Sequence, residues 1–140
     1  TDDALRATVR SRLEAVVEPD TRVVIAHSMG TVVAYETLCE HPEWGVRTLV
    51  TLGSPLGGDW VLGKLRPVAP GGVGAWPGSI ERWFNVASVG DEACAEPQLA
   101  TCFGPRVVDL GVDNGHRAHD PEPYLNAPTT GRALAEELAG

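Results

Sequence analysis

An α/β fold, with a mostly parallel sheet and helices on both faces, is what this sequence predicts, and two observations carry the expectation. Thr21-Arg22-Val23-Val24-Ile25-Ala26 is a short β-branched run without polar alternation, the pattern of a parallel strand covered on both faces. A helical period follows it, and then a second apolar run at Val46–Leu52. Strand, helix, strand at these lengths is a βαβ unit with a right-handed connection. The 140 residues suit one domain or part of one.

The remaining elements fall around that unit. Leu5, Val9, Leu13, Val16 and Val17 recur at three- and four-residue spacing, so Asp3–Glu18 reads as an amphipathic helix, ended by Glu18-Pro19-Asp20. From Met29 to Glu40 the helical period runs through Val32, Val33, Tyr35 and Leu38, and His41-Pro42 closes it. Gly53-Ser54-Pro55 breaks the second strand. Residues 56–80 then form a Gly/Pro-rich, cap-like insertion that includes Trp60 and Trp76, with a short helix near Trp60–Leu65. Loops of that length in compact domains are often lids or binding loops. Trp83–Val89 is the third strand, Arg106–Leu110 the fourth, and Ala133–Leu138, introduced by Thr129-Thr130-Gly131, a closing helix.

Composition narrows the function. Lys and Arg number 11 against 19 Asp and Glu, a formal charge of −8. A nucleic-acid backbone or an anionic membrane needs the opposite field, so neither is expected as a partner. No apolar run approaches the roughly 18 residues of a membrane span. The chain opens Thr1-Asp2-Asp3, without the basic and apolar regions of a signal peptide. Cys39, Cys94 and Cys102 are too few and scattered for a zinc site. They read as reduced, small hydrophobes compatible with the cytoplasm, with a Cys94–Cys102 pair the alternative.

The informative stretch is Val23-Val24-Ile25-Ala26-His27-Ser28-Met29-Gly30. Here a serine stands between a buried strand and a helix, with Ala26 and Gly30 two residues to either side. Small flanking residues let the strand turn sharply, which holds the serine backbone strained and lifts its hydroxyl clear of the sheet. The N–H of Met29 then lies where an oxyanion would develop. An ordinary serine N-cap is the alternative. The ring of His27 is expected to point away from Ser28, as a packing and hydrogen-bonding residue.

With this motif the chain resembles the α/β-hydrolase fold, and more narrowly its lipase and esterase-like members, many of which carry Ala-His-Ser-Met-Gly. Ala26 departs from the commoner Gly-x-Ser-x-Gly. Leu52-Gly53-Ser54-Pro55-Leu56-Gly57 also looks like the Gly-Thr/Ser-Pro turn of those enzymes, one residue shorter before the last glycine. The resemblance spans essentially the whole chain but only the C-terminal half of the fold. It implies that four strands lie upstream of Thr1. It implies too that an upstream strand pairs with the edge of Thr21–Ala26, and that the loop after it supplies a second oxyanion donor.

The resemblance orders a triad as Ser, then Asp or Glu, then His. Ser28 needs a general base oriented by a carboxylate, because a serine hydroxyl is a poor nucleophile at neutral pH. The acid should follow the third strand, where Asp91 stands in Ser88-Val89-Gly90-Asp91-Glu92; Glu92 is its nearest rival, and Asp59 and Asp109 are less well placed. The base should follow the last strand, in Asn114-Gly115-His116-Arg117-Ala118-His119-Asp120-Pro121. His119 is preferred and His116 is the alternative. Trp60 and Trp76 are candidate walls for an apolar acyl or alcohol group, or else pins for an irregular loop. The function implied is cleavage of a small-molecule ester or acyl substrate through an acyl-enzyme, chemistry that requires no metal or organic cofactor. A peptidase or a thioesterase uses the same triad, and a scaffold retained without catalysis is the rival from another class.

Overall fold

The computed structural model describes residues 2–68 and 73–139. Its centre is one four-stranded, all-parallel sheet in the order β1 (Val23–His27), β2 (Thr48–Leu52), β3 (Arg82–Ser88), β4 (Val107–Val112). The register is continuous across the sheet. Val50 on β2 pairs with Ile25 on β1 and with Phe84 on β3, and Phe84 pairs in turn with Val108 on β4.

The helices are α1 (Asp2–Glu14), α2 (Gly30–Glu40), α3 (Asp59–Leu62), α4 (Ala100–Phe103), α5 (Pro121–Asn126) and α6 (Pro128–Ala139). Side chains alternate between the two faces of a strand, so each strand feeds two cores. Val24, Leu49, Trp83 and Val107 pack with α2, α3 and α4 on one face. Val50, Leu52, Phe84 and Val86 pack with Tyr124 of α5 and Ala133 of α6 on the other. This is the helix-on-both-faces arrangement that unalternating strand sequences require, and β2 is buried at every position.

Three expectations change. β1 is not covered on both faces: it is an edge strand among the described residues, and Ile25 is 42% exposed because α5 and α6 lie over β2 and β3 and leave that flank open. The apolar stripe of α1 buries no residue fully. Leu13 packs half-buried against the core, and ion pairs join the helix to α2, Arg6 to Glu36 and Arg10 to Glu40, each at 2.5 Å. The insertion contributes core as well as surface: Leu56, Val61, Leu62, Leu65 and Ile80 are buried, while residues 69–72 lie outside the described part. The short helices α4 and α5 went unread in the sequence, since four and six residues are too few to display a helical period. All three cysteines are free thiols, so Cys94 and Cys102 do not pair.

Candidate active site

Parallel strands put all their carboxyl ends on one edge, and the loops leaving that edge gather side chains from distant parts of the chain. Backbone bonds continue the ladder just past the strands: Ser28 N–H donates to Leu52 O at 3.0 Å, Gly53 N–H to Val86 O at 3.0 Å, and Val89 N–H to Val112 O at 2.9 Å. The three loops and the segment after β4 therefore start from a common, hydrogen-bonded edge.

Ser28 is the one non-glycine residue with positive φ among the described residues, at 56°. That left-handed conformation costs an L-residue roughly 1–2 kcal/mol and persists only where the surroundings hold it. Between β1 and α2 it turns the hydroxyl off the sheet edge. Ser28 Oγ lies 2.8 Å from His119 Nε2. The other ring nitrogen of His119, Nδ1, lies 2.9 and 3.0 Å from the two carboxylate oxygens of Asp91.

Asp91 reaches its place through a turn at Gly90, whose φ is 78°, and its side chain is fully buried. Burial alone would raise its pKa. Hydrogen bonds from Tyr124 Oη, from His119 and from the Ala93 N–H outweigh burial, and the net pKa lies below the ordinary carboxylate value. An ionised carboxylate only accepts, so His119 donates from Nδ1 to Asp91, and in the neutral ring that tautomer leaves Nε2 as the acceptor facing the serine hydroxyl. The same logic applies to His27, whose Nε2–H donates to the main-chain O of His119 at 2.6 Å. The His27 ring also lies against the His119 ring, with centroids 4.8 Å apart. The expectation that His27 packs and hydrogen-bonds is thereby made specific: it holds the loop that bears His119.

Tyr124 and Gly53 are participants that the sequence alone did not single out. Tyr124, fully buried, donates its hydroxyl to Asp91 Oδ2 at 2.5 Å and accepts from the Ser88 N–H at 2.8 Å. A signal for it existed: a tyrosine in an apolar stretch needs a partner for its hydroxyl. Gly53 has φ 56°, and a Cβ there would sit 2.8 Å from Asp91 Oδ2, 3.0 Å from Tyr124 Cε2 and 3.3 Å from His119 Nδ1. Bare backbone is what lets Asp91 and His119 approach the end of β2.

The other candidates do not join the hydrogen-bonded path from Ser28 through His119 to Asp91. Exposed His116 lies in the 3₁₀ turn Gly115–Arg117 and, among the described residues, makes no hydrogen bond to Ser28 or Asp91; Glu92 is also exposed. Asp109 is committed to structure, accepting from Asn85 Nδ2 at 3.0 Å and from the N–H groups of Leu99 and Ala100 at 2.9 Å each. Trp76 turns toward the core, its Nε1–H donating to Ile80 O at 2.6 Å and its ring edge-on to Trp83. Trp60 is 61% exposed. Among the described residues, no ring or hydrogen-bond contact joins either tryptophan to Ser28 or His119. Burial, and after it the charge of Asp91, push the Cys94 thiol to about 12, so it stays protonated beside Asp91.

Comparison of the chain with protein-family models, with curated proteins and with solved structures gives no match. Among the described residues, no helix is long and apolar enough to cross a membrane.

Proposed function

We propose that this chain is the catalytic part of a serine hydrolase of the α/β-hydrolase type, cleaving carboxylic esters through an acyl-enzyme on Ser28. The observation that carries the reading is the unbroken path from Ser28 Oγ to His119 Nε2 at 2.8 Å and from His119 Nδ1 to Asp91 at 2.9 Å. It starts from a serine held at φ 56°.

In the proposed reaction His119 Nε2 takes the hydroxyl proton as Ser28 Oγ attacks the ester carbonyl. The negative charge of the tetrahedral intermediate falls on the former carbonyl oxygen, where the Met29 N–H is the donor this chain offers. Asp91 stabilises the imidazolium and keeps Nδ1 protonated. His119 then gives the proton to the departing alcohol, leaving an acyl group on Ser28. Water, deprotonated by the same nitrogen, attacks the acyl-enzyme and frees the acid and the serine.

The test is labelling of Ser28 by a fluorophosphonate together with hydrolysis of p-nitrophenyl butyrate. Wild-type protein should label at Ser28 and turn over the ester. Ser28→Ala should lose both, turnover falling by on the order of 10⁶. His119→Ala should fall nearly as far, and His116→Ala should stay close to wild type. Hydrolysis by folded Ser28→Ala at the wild-type rate, or wild-type protein that neither labels nor hydrolyses, would overturn the proposal.

A further inference from the structure

The Ser28–Met29 peptide has its carbonyl on one side and its N–H on the other, and the plane between them is rigid. Whatever holds the Ser28 carbonyl therefore aims the Met29 N–H. Thr31 holds it twice: its backbone N–H donates to Ser28 O at 3.0 Å and its hydroxyl at 2.7 Å. The first is an ordinary first-turn bond of α2, whereas the second is an additional bond that only a hydroxyl at this position supplies.

The hydroxyl bond has a fixed direction and an origin outside α2. Thr31 has one hydroxyl proton, and Ser28 O takes it, so Ser54 must be the donor in the 2.7 Å contact between Ser54 Oγ and Thr31 Oγ1. Ser54 Oγ in turn accepts from the Leu56 N–H at 3.1 Å. Both side chains are buried, Thr31 at 0% and Ser54 at 2% exposure. A buried one-way relay thus runs from the turn after β2 to the serine carbonyl: Leu56 N–H, Ser54, Thr31, Ser28 O. Bonds in such a chain polarise one another. At its far end the Met29 N–H has no acceptor among the described residues, and no side chain caps α2.

We infer that Thr31 and Ser54 are positioning residues for the reaction on Ser28, acting through the Ser28–Met29 peptide to hold the serine in its left-handed conformation and to aim the Met29 N–H at the developing oxyanion. The inference rests on the proposed hydrolase reading for its chemical meaning. The relay itself is a matter of structure and is read separately. It also gives Ser54, in the Gly53-Ser54-Pro55 turn, a task distinct from breaking the strand.

The experiment compares Thr31→Val, which keeps the volume and removes the hydroxyl, with Thr31→Ser, which restores it. Each is read with p-nitrophenyl butyrate, with butylboronic acid as a tetrahedral mimic on Ser28, and through the Met29 amide resonance. Thr31→Val should lower kcat by about 10- to 100-fold with KM unchanged, less than the roughly 10²–10³ lost with an oxyanion donor outright. Boronic acid affinity should fall in parallel, the Met29 amide should shift, and Thr31→Ser should recover all three. Ser54→Ala should act in the same direction, and adding it to Thr31→Val should cost little more, since both break one chain. If Thr31→Val does not fold, Ser54→Ala carries the same readouts. A folded variant with wild-type kcat, boronic acid affinity and Met29 resonance would overturn the inference while leaving the hydrolase reading standing. A wild-type protein inactive toward ester and probe would remove the hydrolase reading. The Met29 resonance, moved in Thr31→Val and restored in Thr31→Ser, would still decide the relay.

Discussion

Replacing Gly53 with alanine tests the site through the backbone, without touching any group that carries a proton. Two costs follow from the structure. At φ 56° a Cβ brings the left-handed penalty, roughly 1–2 kcal/mol. The same Cβ would stand 2.8 Å from Asp91 Oδ2, well inside ordinary contact, and the surroundings give little room to relieve it. Gly53 N–H is bonded to Val86 O, and Asp91 is held by Tyr124 and the Ala93 N–H. Overpacking of this kind adds about 1–3 kcal/mol, for a total of roughly 2–5 kcal/mol of stability. The carboxylate is the movable party, and a shift of a few tenths of an ångström lengthens its bonds to His119 Nδ1. Under the proposed mechanism turnover should fall by about 10²-fold, as for a misplaced catalytic group. Gly115→Ala is the control, because Gly115 has φ 62° with nothing within 4 Å of an added Cβ, so it bears the backbone penalty alone. Thermal unfolding of the two variants and ester turnover of each, normalised to labelled serine, are the measurements. If Gly53→Ala is no less stable than Gly115→Ala and equally active, the close approach of Asp91 and His119 to Gly53 is wrong.

Other perturbations separate the remaining contributions. Tyr124→Phe strands the buried Ser88 N–H, at about 1–3 kcal/mol, and removes one of the bonds that depress the Asp91 pKa. A depressed carboxylate stabilises the fold above its unfolded pKa and loses that contribution as pH falls through the folded value. The acid limb of melting temperature against pH should therefore move to higher pH in this variant. His41 follows the opposite sign: bonds to Glu14 and Glu43 raise its pKa, so its contribution is full below the unfolded value near 6.5 and fades as pH rises through the folded one. The melting-temperature gap between wild type and His41→Gln should be wider at about pH 5 than at about pH 9. Trp76→Ala should cost about 1–3 kcal/mol of stability, since the half-buried ring packs against the core and its Nε1–H is bonded to Ile80 O. Exposed Trp60→Ala should leave the unfolding midpoint almost unchanged, and its effect should show as a changed preference between short and long acyl chains.

How much of this was legible before folding depends on how local each signal is. The parallel sheet and the position of Ser28 could be read because strand, small residue, serine, glycine and helix fall within some twenty consecutive residues, and each constrains its neighbour through backbone geometry. The choice of Asp91 followed from its place one turn beyond a recognisable strand. His119 and His116 are three residues apart in a loop with no period, and only the packing of that loop, with His27 on its backbone and α5 after it, decided which ring lies beside Ser28. The same holds for Trp76, whose packing against the core depends on Trp83, and for Ile25, whose exposure depends on where α5 and α6 settle. Tyr124 meets Asp91 across 33 residues of chain, Thr31 meets Ser54 across 23, and Gly53 meets Asp91 from another strand's end. Composition and periodicity report what a residue does to its own stretch of backbone. A hydroxyl's partner, or the space a missing Cβ leaves, exists only once separate strands have been brought to the same edge of the sheet.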